Sequence, residues 1–136
     1  FNTFNMDSDY EYTFRQMENT ISIDYDSDAK VKYVKIWCKT DSMRPTFDCN
    51  DYVWGYKPES PDKVKDGDII AFRINPSDKD VMIHRVIFIE KDDNGDYLYT
   101  TSGDNRINQL SINQVEVDGE IKFNQIDFKV DGVVYG

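Results

Sequence analysis

The sequence contains little cysteine and histidine, and this scarcity excludes several kinds of site. Among its 136 residues, only Cys38 and Cys49 are cysteines and only His84 is a histidine. Two cysteines do not make a disulfide framework, and without a CxxC spacing they do not suggest zinc; whether they pair stays open. DDNGDY resembles the start of a calcium-binding EF-hand loop, but Tyr97 stands where that loop requires glycine. We therefore predict no metal site and no cofactor.

Basic residues and long apolar runs are also scarce. The chain has 16 Lys and Arg residues against 26 Asp and Glu residues, which gives a net charge of -10. Nucleic acids and anionic bilayers attract clusters of Lys and Arg, so we predict neither as a partner. No run of about 20 apolar residues is present, so no segment is predicted to span a membrane. Because the chain starts at Phe1 rather than at Met, we expect it to be part of a longer protein.

What the sequence does contain is the pattern of a β-protein with a core. Hydrophobic residues make up 39% of the chain and aromatic residues 14%. Apolar positions mostly alternate with polar ones, as in half-buried strands, and no segment has the long 3.6-residue period of a helix. The predicted strands are a hairpin over 9–26, the segments 31–37, 51–57, 67–74 and 81–90, and DYLYTTSGDN, QVEVDGEIKF and IDFKVDGVVYG.

These strands predict an all-β fold, an irregular antiparallel barrel or sandwich with several bends. Short helical turns are possible at 41–49 and 104–114. We divide the chain into an N-terminal hairpin arm of unknown role, residues 1–30, and a β-domain, residues 31–136. The DDNG turn is expected to place Asn94 and Gly95 at positive φ.

Ser42, His84 and Asp104 form a candidate catalytic set, because they belong to three separate strand ends, where functional loops collect. A serine hydroxyl becomes a good nucleophile when a neighbouring base takes its proton, and imidazole suits that task near neutral pH. A carboxylate can hold the imidazole in the required tautomer. Chemistry alone leaves structural roles open as well: a turn cap for Ser42, a core position for His84 and a turn-shaping role for Asp104.

Four sequence boxes occur in a fixed order: DSMRPTFDCNDYV, DGDIIAF, MIHRVI and TTSGDNR. Together with VDGEI they resemble the boxes of type I signal peptidases over roughly residues 34–121. The resemblance is closest to the archaeal and endoplasmic-reticulum branch, in which histidine takes the place of the lysine base of the bacterial enzymes.

The resemblance implies a role for each matching residue. Ser42 is the nucleophile of the SMxP box, His84 is the general base of the HRV box, and Asp104 is the aspartate of the GDN box. Thr40, two residues before the serine, is a candidate oxyanion donor beside the Ser42 backbone N–H, and Met43 is expected to pack under the serine loop and line the substrate groove.

The resemblance also implies a setting for the whole domain. The fold is a mostly β catalytic domain of the signal-peptidase and LexA-like type, with a shallow groove for an extended substrate. We expect a serine endopeptidase that cleaves peptides or preproteins with small residues near the scissile bond, and that acts as a monomer. In the full-length protein, an anchor outside this chain would place the domain at a membrane on the side away from the cytoplasm; the fragment itself is expected to be soluble.

Two departures from the family pattern keep other functions open. Asp41 precedes the serine where the family usually has glycine, and RINQLSIN after the GDN box supplies no further aspartate. One alternative is a noncatalytic peptide-binding module on the same fold. Another is a self-cleaving regulator, but those proteins cut an Ala-Gly bond, and here Ala29 and Ala71 precede Lys30 and Phe72.

Overall fold

A computed structural model describes residues 2–5, 12–17, 20–25, 30–36, 41–105 and 117–136. The described residues form ten strands and two short 3-10 helices, Pro61–Lys63 and Phe123–Gln125. The strands are β1 (Asn2–Asn5), β2 (Tyr12–Met17), β3 (Thr20–Tyr25), β4 (Val31–Lys35), β5 (Tyr52–Tyr56), β6 (Ile69–Phe72), β7 (Met82–Lys91), β8 (Tyr97–Ser102), β9 (Val117–Lys122) and β10 (Ile126–Tyr135). The prediction of an all-β fold with short helical turns is confirmed. The two 3-10 helices lie elsewhere than at 41–49, where hydrogen-bonded turns form instead, and 106–114 lies outside the described residues.

Eight of these strands form one antiparallel sheet. The strand order is β4-β5-β10-β6-β7-β8-β9, and β1 also pairs with β10. Among the described strands, β4 and β9 lie at the two ends of this order and do not pair with each other. The sheet is therefore open rather than closed into a barrel. Pairing registers shift within β10, between Val86 and Phe88, and between Tyr99 and Thr101, which supplies the predicted irregularity.

The N-terminal arm contains the predicted hairpin and one strand that was not predicted. β2 and β3 pair in register, with Phe14 opposite Ile23, and form a two-stranded sheet of their own. β1 instead belongs to the large sheet, where Asn5 lies opposite Gly132. β1 was not predicted because its four residues, NTFN, are mostly polar and show no alternation of apolar and polar positions.

β6 is buried on both faces, because the sheet has a hydrophobic core on each side. Ile69 and Ala71 enter one core, while Ile70 and Phe72 enter the other. This double burial explains why the sequence shows a nearly continuous apolar run here instead of alternation. The first core also contains Met43, Phe47, Val53, Phe128, Val130 and Val133, and the second contains Val64, Val86, Tyr99, Ile121 and Ile126.

The DDNG turn folds differently from the prediction. Gly95 has φ of 81°, as expected, but Asn94 does not share its positive φ. The Asp92 carboxylate accepts the N–H groups of Asn94 and Asp96, both at 2.9 Å, so it stabilises the turn with a single left-handed residue. Within the described residues, no helix is long and apolar enough to cross a membrane.

Gly55 gives a test of how closely the sheet packs. A β-carbon at this position would lie 1.8 Å from the carbonyl oxygen of Lys129, which is backbone and cannot rotate away. We expect Gly55→Ala to lower the free energy of unfolding by about 1–3 kcal/mol, measured by urea denaturation. Gly119→Ala is the control, because no atom lies within 4 Å of its added β-carbon. Equal stability of the two variants would contradict this close approach.

Tyr99 gives a second test, through pH. Its ring is fully buried and its hydroxyl donates to the Pro61 carbonyl oxygen at 2.7 Å. Burial first, and then the neighbouring Tyr97 and Asp62, raise the pKa of Tyr99 from 10.0 to about 12. Between these two values the unfolded chain loses a proton that the folded protein keeps, so the contribution of Tyr99 to stability falls as the pH rises through this range.

The expected outcome is a pH-dependent difference between wild type and Tyr99→Phe. The stability advantage of the wild type, measured by urea denaturation, should be constant from neutral pH to about 10.0 and should shrink towards pH 12. Tyr33→Phe, which removes an exposed hydroxyl, is the control. If the stability advantage of the wild type does not change with pH, the Tyr99 hydroxyl loses its proton at the same pH in the folded and unfolded protein, and the prediction is wrong.

Candidate active site

Residues 41–50, here named the Ser42 loop, join the β4 side of the sheet to β5. Tight turns shape the loop: the Arg44 N–H donates to the Asp41 carbonyl oxygen at 3.0 Å, and the Thr46 N–H donates to the Met43 carbonyl oxygen at 2.8 Å. The Arg44–Pro45 peptide is cis. Met43, only 4% exposed, fixes the loop to the first core, while the neighbouring Ser42 remains partly exposed.

The structure brings Ser42 next to the histidine of the chain. The Oγ of Ser42 and the Nε2 of His84 are 3.2 Å apart, although 42 positions separate them in the sequence. His84 lies in β7 opposite Ile70 of β6, and its ring meets the edge of Phe72 at a centroid distance of 6.4 Å. A serine hydroxyl at hydrogen-bond distance from an imidazole is the geometry that nucleophile activation requires.

No protein-family model, curated protein or solved structure matches the chain. The family resemblance therefore rests on the four sequence boxes. The distance between Ser42 and His84 is a separate observation, because the sequence boxes that contain these residues do not say whether the fold brings them together.

Asp104, the third predicted residue, lies in the same region and is bonded to Arg85 and to Thr46. Arg85 donates to both carboxylate oxygens of Asp104, from Nε and Nη2, each at 2.8 Å. The Thr46 hydroxyl also donates to Asp104. Through these bonds the carboxylate connects β7 with the Ser42 loop. The expected support of the imidazole by Asp104 stays a prediction.

Arg85 is held firmly in this position. Besides Asp104, it contacts the Gly67 carbonyl oxygen, to which Nη1 donates at 2.7 Å. The hydrogen bonds to Asp104 raise the pKa of Arg85 above its ordinary value, against the opposing effect of burial, and the negative charges of Asp104 and Asp68 add to the increase. The guanidinium therefore stays charged at every pH at which the protein is folded.

Gly103 and Asn105 hold the Ser42 loop from the other side. A β-carbon on Gly103 would lie 2.5 Å from the Ser42 carbonyl oxygen, so only glycine permits this approach. The Asn105 backbone N–H donates to the same oxygen at 2.8 Å, and its side-chain amide donates to the Asp41 carbonyl oxygen at 3.1 Å. Sequence reasoning assigned no role to either residue, although the GDN box was a signal for both.

Two residues at the end of β10 also fix the loop. The Tyr135 hydroxyl donates to the Thr46 carbonyl oxygen at 2.9 Å, and the Gly136 N–H donates to the Asp51 carboxylate at 2.9 Å. Asp51 in turn accepts the Asp48 N–H at 2.8 Å. The conformation around Ser42 is therefore set by contacts on several sides.

A groove of about 420 Å³ opens beside Ser42 and His84. Its lining is largely apolar and includes Val34, Ile36, Met43, Phe47, Val81, Met82 and Ile83. In the described strands, β4 pairs only with β5, and the segment Met82 to His84 pairs only with β6. On each side of the groove, a strand segment therefore has one backbone edge that is not paired with any of the described strands.

Other predictions fall partly or wholly outside the described residues. Thr40, the candidate oxyanion donor, lies outside them. Cys49 is disulfide-bonded, and Cys38, the other cysteine of the chain, also lies outside. Among the described residues, no group of three or more His, Cys, Asp or Glu side chains is placed to hold a metal ion.

The Arg85–Asp104 pair yields a testable prediction. Asp104→Asn preserves the shape of the side chain but leaves the charged guanidinium of Arg85 without its anionic partner in a half-buried place. We expect the free energy of unfolding to fall by about 1–3 kcal/mol in urea denaturation. The matched control is Asp96→Asn in an exposed turn. If both variants are equally stable, Asp104 does not hold the site together.

Proposed function

We propose that the protein is a serine endopeptidase that works like a type I signal peptidase with a Ser-His pair. The observation that carries the proposal is the 3.2 Å separation of Ser42 Oγ and His84 Nε2 beside an apolar groove. The order of the four sequence boxes supports it, because the boxes assign to these same two residues the roles of nucleophile and base.

In the first half of the reaction, Ser42 Oγ attacks the carbonyl carbon of the scissile bond as His84 Nε2 takes the hydroxyl proton. The carbonyl oxygen becomes negatively charged and needs hydrogen-bond donors. The Ser42 backbone N–H and the Thr40 hydroxyl are the donors that the family resemblance suggests, and one such donor is worth about 2.7–4 kcal/mol of barrier. His84 then gives the proton to the departing amine, and the acyl group remains on Ser42.

In the second half, a water molecule attacks the ester carbon. His84 accepts a proton from this water and returns it to Ser42 as the acid product leaves, so the enzyme is restored. Asp104 supports His84 in these steps, as the family resemblance implies. Paired with Arg85, it also positions the base strand and the Ser42 loop relative to each other, which preserves the short distance between nucleophile and base.

The groove suits an extended peptide. A substrate strand lying between Val34–Ile36 and Met82–His84 would find main-chain donors and acceptors on both sides, as in other cases of strand addition. Met43 and Phe47 line the same groove as Ser42, and the family resemblance implies small side chains next to the scissile bond. A preprotein with small residues before the cleavage site is therefore the favoured substrate class.

The disulfide of Cys49 supports a location outside the cytoplasm. Disulfides persist in oxidising compartments and are rare where glutathione keeps thiols reduced. A membrane-associated full-length protein with its catalytic domain on the oxidising side agrees with this feature and with the family resemblance.

The proposal predicts that Ser42→Ala abolishes cleavage of a peptide with alanines around the scissile bond, and that His84→Gln lowers its rate by about 10²–10⁴-fold. Because only neutral imidazole accepts a proton, the wild-type rate should fall on the acid side of its pH profile, and the residual rate of His84→Gln should not share this fall. Product formation is measured by mass spectrometry.

Ser60→Ala, at a serine that does not line the groove, controls for nonspecific effects and should cleave at the wild-type rate. Full activity of Ser42→Ala would overturn the assignment. If neither wild type nor variants cleave but all bind the peptide, the protein is a binding module instead.

A further inference from the structure

The part of the groove away from Ser42 is closed by a charged cluster that the reaction does not use. Asp127 lies between two cations: Lys32 Nζ is 2.5 Å from one carboxylate oxygen, and Arg73 Nη1 is 3.4 Å from the other. The Asp127 side chain is only 18% exposed, and that of Arg73 is 32% exposed. Two cations thus share one largely buried carboxylate, which leaves a positive charge in excess.

Other charged residues at this end preserve the imbalance. Lys79 also lines the groove, and Asp80 is the second anion there. Counted with Lys32, Arg73 and Asp127, the cluster has three cations and two anions, in a chain whose net charge is -10. Asp78 is close in sequence, but its carboxylate accepts the Asn75 N–H at 3.0 Å within its own turn.

Arg73 has the geometry to bind a further anion. Its Nε donates to the Asp78 carbonyl oxygen at 3.0 Å, and Nη1 faces Asp127. A guanidinium has five N–H donors in a planar fork that matches a carboxylate, and these two contacts use a minority of them. The first contact fixes the orientation of the group, so less side-chain entropy is lost when a ligand binds.

The distance from the reacting pair sets the position of this ligand along a bound peptide. Ile70 of β6 lies opposite His84, and Arg73 follows Ile70 by three residues. An extended strand rises about 3.3 Å per residue, so the Arg73 backbone lies about 10 Å along the sheet from the position of His84. An extended peptide covers that length with about three to four residues.

We propose that this end of the groove is a subsite for a substrate carboxylate about four residues from the scissile bond, with Arg73 as its main ligand. The inference rests on the proposed peptidase function. The carboxylate is either an Asp or Glu side chain or the free C-terminus of a short peptide, since both present the same pair of oxygens.

Paired peptides test the subsite. Each pair has alanines around the scissile bond and either Glu or Gln at one position, from two to six residues away on either side; further pairs differ only in a free or amidated C-terminus. We expect kcat/KM to be about fivefold higher for Glu than for Gln near the fourth position, and the difference to shrink with added salt. A preference only for the free C-terminus would identify the terminus as the source of the carboxylate.

Variants connect the preference to the cluster. Arg73→Gln should remove the preference for Glu, and Lys79→Gln, at an exposed rim position, should reduce it without a risk to folding. Lys91→Gln is the matched control, because it removes the same charge from the far end of β7 and should keep the preference. A preference that survives both Arg73→Gln and Lys79→Gln would overturn the proposal.

The two proposals fail in different ways. Wild type that cleaves Glu and Gln peptides equally at every position lacks the subsite, while the peptidase function stands. If the wild type cleaves none of the peptides, the proposed activity is absent. Binding of the same peptides to Ser42→Ala, measured by fluorescence anisotropy, then tests whether the subsite exists. Tighter binding of Glu peptides supports it; equal binding or no binding overturns it.

Discussion

The ion pair between Arg85 and Asp104 is the contact on which the arrangement of the site depends. Arg85 follows His84 directly in β7, so the pair fixes the strand that carries the base. Asp104 is flanked by Gly103 and Asn105, which contact the Ser42 loop, and it also accepts the Thr46 hydroxyl of that loop. An ion pair of a guanidinium and a carboxylate therefore helps to set the distance between Ser42 and His84. Because the Arg85 side chain is 29% and the Asp104 side chain 13% exposed, water and salt weaken the pair less than they would at the surface.

This arrangement gives each residue of the GDN box a physical role in holding the Ser42 loop. Glycine permits the close approach to the Ser42 carbonyl, aspartate binds the arginine next to the base, and asparagine donates to two carbonyl oxygens of the loop. Each residue type is required for a different contact, and all the contacts lead to the same loop. Arg85 and Asp104 are not among the residues that line the neighbouring groove, so their ion pair holds the site without adding charge to that lining.

Much of the fold followed from sequence periodicity, and the exceptions have identifiable causes. Alternation found the hairpin of β2 and β3 and most strands of the large sheet, and the apolar run at β6 reflects its two cores. β1 was missed because its pairing with β10 is a long-range contact that four residues do not encode locally. The turn at Asn94 was misjudged because the Asp92 side chain supplies hydrogen bonds that a two-residue rule ignores. Ser42, His84 and Asp104 were singled out through motif order, but the ion pair of Asp104 with Arg85 was not foreseen, since the side chains that a carboxylate meets depend on strand register.

The contacts of Tyr135 and Gly136 with the Ser42 loop have a consequence for how the protein comes into being. The loop lies in the first half of the chain, yet two of its anchors come from the last strand of the sheet. A ribosome synthesises the chain from the N-terminus, so Ser42 emerges long before the residues that hold its loop in place. The growing polypeptide therefore carries a serine that lacks its full support. Assembly of the site has to wait for β10, so the arrangement of Ser42 and His84 is completed only at the end of synthesis.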